Sequence, residues 1–175
     1  ARIGDTLTRC SVFLQSWAPS WEIVIVDDGS VDDTVSTARD RAAADRRIHV
    51  IERHHQGKGA AVRAGMLAAL GQWRVFADAD LSMDITQLPL FLTEPADVAI
   101  ASREAVGARR IGEPPWRHAS GRAFNWCVRL FAVRGIQDTP CGYNLFRGDV
   151  AEWLFGVSPA SGLAFAVALL CPAPR

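Results

Sequence analysis

WEIVIVDDGSVDDTVSTARDRAAADRRIHVIE, residues 21–52, changes its hydrophobic period twice. WEIVIV (21–26) is a short β-branched run bounded by turn residues, the mark of a buried strand. DDGS (27–30) is a turn. VDDTVSTARDRAAA (31–44) reads as a helix with acids in its first turn, and RIHVIE (47–52) as a second strand. Strand, helix and strand in this order are the repeating unit of an α/β fold.

The pattern extends on both sides. Ile3, Leu7, Phe13, Leu14 and Trp17 are spaced for a helix over 3–17. HHQGKGA (54–60) is a loop, and AAVRAGMLAAL (60–70) is an Ala-rich helix closed by Gly71. WRVFA (73–77) is a third strand, ITQLPLFLT (85–93) a short helix interrupted by Pro89, and DVAIAS (97–102) a fourth strand. Such alternation predicts a mostly parallel sheet. Beyond residue 102 the spacing predicts a long polar loop, an amphipathic helix over 121–133, a short strand in CGYNLFR (141–147) and a further helix from DVAEWLF (149–155).

The 175 residues suit a single domain, and 49% hydrophobic with 22% charged residues is a globular balance. Zero formal charge gives no reason to expect nucleic acid. No apolar run approaches the length of about 18 residues of a spanning helix, and ARIGDTLTRC at the start shows no secretory pattern. Cys10, Cys127, Cys141 and Cys171 lack metal-ligand spacing and are expected as reduced thiols in a cytosolic setting.

Asp27-Asp28 follows the first strand of the alternation, and Asp78-Ala79-Asp80 the third. In open α/β sheets ligands bind beyond the carboxyl ends of the strands. Each acidic pair alone reads better as a turn or helix cap than as a site. Two at one sheet edge repel and call for a cation or polar ligand. Asp78 and Asp80 suit Mg2+ or Mn2+, with substrate phosphate completing the shell. Lys58, between glycines ahead of a helix, fits an anion site or a solvated loop. The loop is neither a Walker A nor a GxGxxG motif. His54, His55 and His118 read as surface or loop residues.

EIVIVDDGSVDDT, HQGKGAAVRAGM, WRVFADADLSM and GIQDTPCGYNLF, in that order, resemble glycosyltransferase family 2 with the GT-A fold. Within it they look like the dolichyl- or polyprenyl-phosphate glycosyltransferases, above all the dolichyl-phosphate β-glucosyltransferase branch. SREAVGARRIGEPPWRHASGRAFN (102–125) is similar to bacterial members of that branch. The resemblance implies a three-layer α/β/α sandwich. It also implies an inverting hexosyltransferase, acting from UDP-glucose or GDP-mannose onto a polyprenyl or dolichyl phosphate at the cytoplasmic face of a membrane. By matching motifs, Asp27 and Asp28 would contact the nucleoside and Lys58 would lie near the donor. Asp78 would face the ribose or the metal, and Asp80 would hold the metal on the diphosphate. Asp138, in the DTPCG segment, is a candidate for acceptor positioning or base work, or simply an acidic turn.

Residues 103–134 hold seven arginines against two glutamates, interleaved with Trp116, Phe124, Trp126 and Phe131. That mixture fits an anionic membrane interface or an ordinary solvated face over a core stripe. The resemblance favours lipid contact, with Arg103, Arg109, Arg110 and Arg117 as acceptor-phosphate residues.

The chain departs from the family pattern in three places. It begins after the family's usual first strand with its Pro-x-Tyr-Asn-Glu-Glu type motif. His55 stands nearest the Asn usual before GKG. In GLAFAVALLCPAPR, Ala166 and Ala168 stand where acids are expected. A partial domain lacking its first strand and last helices is therefore expected, with low stability or association. Two rivals remain: a haloacid-dehalogenase-type phosphatase using Asp78 as nucleophile, and a relic that binds nucleotide or membrane without turnover.

Overall fold

The alternation along the strands sorts side chains onto two faces of the sheet, as a period of two requires. A computed structural model describes residues 2–93, 96–101 and 142–157. The elements in chain order are α1 (Arg2–Trp17), β1 (Ile23–Asp27), α2 (Thr34–Ala44), β2 (Ile48–Glu52), α3 (Lys58–Ala68) and β3 (Trp73–Ala77). A 3-10 helix (Ile85–Leu92), β4 (Val98–Ile100), β5 (Tyr143–Arg147) and α4 (Gly148–Val157) follow. Leu145, Val75, Ala99 and Ile23 pack with Leu14 of α1 and with Ile85 and Leu88 of the 3-10 helix. Phe146, Phe76 and Val98 point the other way, onto Met66 of α3 and Ala151, Leu154 and Phe155 of α4. Helices on both faces make the expected three layers.

β1 and β2 pair in parallel, from Ile23 with Ile48 to Asp27 with Glu52. β5 lies between β3 and β4 and is antiparallel to both, so β3 and β4 run the same way. Among the described residues no strand pairs with β1 opposite β2, or with β3 opposite β5. α3 packs against both β1 and β3. Gly65 allows its close approach, because a Cβ there would come within 3.1 Å of Val26.

Most strands are trimmed by a residue or two from the expected ranges, and the helix boundaries at α2 and α3 differ for identifiable reasons. α2 starts at Thr34, so Asp32 and Asp33 precede its first turn, with Asp32 accepting the Thr34 N–H. α3 starts at Lys58 rather than 60 and ends at Ala68. Gly71 does not close it; its N–H and that of Leu70 donate to Glu22. Pro89 sits inside the 3-10 helix, which Asp84 caps by accepting the Thr86 N–H. The arginine segment 103–134, Asp138 and the C-terminal residues 158–175 lie outside the described residues.

Arg74 is a charged residue in a strand, yet only 6% exposed. It donates to the carbonyls of Gly71 and Met66 and to Glu152, so its burial is compensated. Tyr143, the chain's single tyrosine, is 1% exposed against Ala101, and its hydroxyl has no partner among the described residues. Burial foremost, then Cys10 and Asp84, pushes its phenol up to about 12. An unfolded tyrosine ionises near pH 10. The unfolded chain therefore loses this proton first, and stability falls between those values as pH rises. The expected ultraviolet titration shows tyrosinate appearing near pH 12 or with unfolding; tyrosinate forming near pH 10 in the folded chain would contradict this packing.

Candidate functional site

The carboxyl ends of β1 and β3 carry two shaped turns, and the residues before α3 join them. At the first turn Asp27 is 7% exposed, and one carboxylate oxygen accepts the N–H groups of Gly29 and Ser30 at 3.0 Å each. Gly29 takes φ 95°, a conformation open to glycine at little cost. Burial is the largest influence on Asp27 and raises its carboxyl. Hydrogen bonds from the Ser30 hydroxyl and the two amides outweigh it, so the net shift is downward.

Asp28 grips the next loop. It accepts the Gln56 N–H at 3.0 Å and the Gly57 N–H at 2.8 Å. His55 Nδ1 lies 2.9 Å from its carboxylate and 3.1 Å from its carbonyl. The Gln56 amide, followed by Gly57 and His55, holds the Asp28 carboxyl below its ordinary value. Gly57, at φ 93°, is the N-cap of α3. This clamp explains why the helix begins at Lys58, which pairing with the residue just after β1 fixes and local periodicity does not show.

At the second turn Leu81 donates to the Asp78 carbonyl at 2.9 Å, with Leu81 buried at φ 47°. Asp80 accepts the Ser82 N–H at 2.9 Å. α1 supports the turn from beneath: the Thr6 hydroxyl donates to the Ala79 carbonyl at 2.6 Å, and Arg9 pairs with Asp84 at 2.5 Å. Lys58 Nζ sits 2.6 Å from Asp78, completing a path from Asp28 through the 55–57 loop to the second acidic turn.

Asp28, Lys58 and Asp78 are thus brought together, and Asp80 lies two residues on in the same turn. Asp27 stands apart in role: its hydrogen bonds shape the first turn from a buried position. The sequence places His55 as a surface or loop residue beside the GKG segment, and its pairing with Asp28 has no signal in the local spacing. Asp138, Arg103, Arg109, Arg110 and Arg117 lie outside the described residues. Among the described residues no group of three His, Cys, Asp or Glu side chains could hold a metal by itself. The two carboxylates of Asp78 and Asp80 nonetheless suit a hard divalent cation that takes its other ligands from substrate phosphate and water.

The depressed carboxyls give a pH dependence with a definite sign. Asp27 and Asp28 favour the ionised form in the fold, so their contribution is complete above the unfolded carboxylate value of about 4. It is lost as pH falls through their lower folded values. Melting temperature is expected to hold steady near neutrality and drop below about pH 4. A flat melting profile down to pH 3, roughly one unit below the reference value, would count against the clamp.

Residues 3–142 match the family model described as Glycosyl transferase family 2. The dolichyl-phosphate beta-glucosyltransferase of Drosophila melanogaster is 35% identical over 97% of this chain and 57% of its own length. Its Saccharomyces cerevisiae counterpart is 32% identical over 99% of this chain and 59% of its own. The Homo sapiens protein of the same name is 30% identical, covering 86% and 51% respectively. The chain spans about half the length of the curated relatives it matches.

Proposed function

Because this chain belongs to glycosyl transferase family 2 and carries its GT-A fold, we propose that its site moves a hexose from a nucleotide-diphosphate sugar to a polyprenyl or dolichyl phosphate, with inversion. The observation that carries this reading is Lys58, the first residue of α3, held 2.6 Å from Asp78 by a loop that Asp28 clamps. A helix N-terminus and a cation beside two carboxylates form a receptor for a diphosphate and its metal. The relatives named above supply the acceptor class by their names.

In this reading the acceptor phosphate oxygen attacks the sugar's anomeric carbon, whose bond to the nucleoside diphosphate breaks. The second phosphate pKa is about 6, so the nucleophile is already largely ionised near neutrality. The chain's main work is then orientation in line and stabilisation of the departing diphosphate. Lys58 and the N–H groups opening α3 hold the diphosphate. Asp78 and Asp80 would hold Mg2+ or Mn2+, which supplies positive charge toward the leaving group. Asp28 acts by keeping the 55–57 loop in place beside the nucleoside, and Asp27 by fixing the turn behind it. An exposed ion pair is worth only about 0–1 kcal/mol. Lys58 and Asp78 can therefore exchange each other for diphosphate and metal at little cost.

Glucose from UDP-glucose is the donor we favour, with GDP-mannose as the competing donor. Arg103, Arg109, Arg110 and Arg117 are proposed for the acceptor phosphate and Asp138 for its positioning. Lipid contact is the counterpart of such an acceptor, and the cytoplasmic face of a membrane is the side proposed for it. No helix among the described residues is long and apolar enough to cross a membrane.

The test incubates the purified chain with radiolabelled UDP-glucose or GDP-mannose, a polyprenyl phosphate and Mg2+ or Mn2+. Labelled lipid-linked sugar is the expected product. Donor binding without lipid labelling would reduce the site to a nucleotide binder, and release of inorganic phosphate through an aspartyl-phosphate on Asp78 would replace the reading altogether.

A further inference from the structure

Gly142 faces Asp78 across the β3–β5 ladder. Ala77 pairs with Tyr143 at the end of that ladder, and the Asp78 N–H donates to the Gly142 carbonyl at 3.1 Å. The Asp78 carboxylate folds back over the glycine. A Cβ built on Gly142 would lie 2.8 Å from one carboxylate oxygen and closer still to the other oxygen and Cγ. All three approaches fall below the 3.0 Å that real Cβ atoms essentially never show.

Two ordinary reasons for a glycine do not apply. The left-handed glycines among the described residues are Gly29 and Gly57, not Gly142. Nor is the crowding set by the tip of a long side chain with many rotamers. Asp78 is short, its backbone is held by the ladder, and its carboxylate is engaged 2.6 Å from Lys58. A methyl group at 142 can be accommodated only by turning that carboxylate away from Lys58 or by parting the strands.

We infer that Gly142 is a positioning residue for the donor site: its missing side chain is the seat that aims Asp78 at Lys58 and at whatever the pair binds. This rests on the function proposed above. It assigns a role at the end of the DTPCG segment to the glycine, independently of Asp138. Adding one methyl group is expected to weaken donor binding through Asp78 and not through loss of the fold.

The experiment is a double-mutant cycle on the chain, titrated by calorimetry with UDP and, separately, GDP in the presence of Mg2+. Gly142→Ala is expected to weaken binding of the preferred nucleotide about tenfold or more, since misplacing a binding group by about 1 Å is costly. Asp78→Ala is expected to weaken it comparably. Gly142→Ala should then add less than about a twofold loss in the Asp78→Ala background, because the clash has been removed. Tyr143 ionising near pH 12 in each variant reports that the β3–β5 packing persists. Wild-type affinity in Gly142→Ala, or a second full loss in the double variant, overturns the inference.

Melting temperature gives a readout free of nucleotide. If Gly142→Ala lowers it in the wild-type background but not beside Asp78→Ala, the seat is supported even where the single variant folds poorly. An equal drop in both backgrounds overturns it. Should the wild-type chain bind neither nucleotide, the proposed function fails, and the melting cycle alone decides the role of Gly142.

Discussion

Asp80→Ala is expected to cut metal-dependent sugar transfer by roughly 100- to 1,000-fold, the range seen when one group aimed at developing charge is removed. The side chain is exposed, and its carboxylate accepts the Ser82 N–H from within the same turn. Replacing it costs little stability by the usual range for a surface position away from the core, about 0.5 kcal/mol. The turn keeps its other supports, the Leu81 N–H to the Asp78 carbonyl and the Thr6 hydroxyl to Ala79. A large loss of turnover with an unchanged melt is therefore the signature of a diphosphate-metal residue. Near-wild-type turnover at saturating Mg2+ would remove Asp80 from the site. A collapsed melt would show that the Asx-type bond to Ser82 shapes the turn more than the chemistry requires.

Phe155→Ala carries the largest expected effect on stability. Phe155 is fully buried and meets Phe146 edge-on with centroids 5.4 Å apart. It belongs to the cluster of Met66, Phe146, Ala151 and Leu154 that joins α3 and α4 to the sheet. Truncating such a ring costs about 3–5 kcal/mol, which for a chain of this size lowers the melting temperature by about 6–20 °C. The cluster is linked to the site by α3. Arg63 on that helix donates to the Phe155 carbonyl at 2.7 Å, and Lys58 begins the same helix. Molecules that remain folded are expected to keep donor affinity, because the backbone carbonyl survives the substitution. A change below about 1 kcal/mol would show that α4 does not pack as described.

The first three strands were legible because each is a short apolar run ended by charged residues. WRVFA marks β3 residue for residue, since Asp78 ends it at once. The acidic turns could be placed at the carboxyl ends of β1 and β3 from the alternation alone, although among the described residues those strands lie in two separate sheets. β5 could not be placed: YNLFR is buried along nearly its whole length, so its composition announces a strand but not its direction or neighbours. Its position between β3 and β4 is set by non-local pairing. The start of α3 escaped for a similar reason. Gly57 caps it while held by Asp28, 29 residues earlier. Sequence reasoning gave His55 no site role and did not single out Gly142. His55 gains its role from the same long-range clamp. Gly142 carried a faint signal, a glycine directly before a buried strand, whose meaning appears only once Asp78 is seen lying over it.

The central claim is that the Asp28 clamp, Lys58 and the Asp78–Asp80 turn form one donor site. Its most direct test is a backbone amide NMR titration of the chain with UDP-glucose and GDP-mannose in Mg2+. Saturable shifts concentrated at Gln56, Gly57, Lys58, Ala79 and Asp80, and lost in Asp80→Ala, are predicted. Saturable shifts elsewhere with these five amides unmoved, or no saturable shift with either donor, would contradict it.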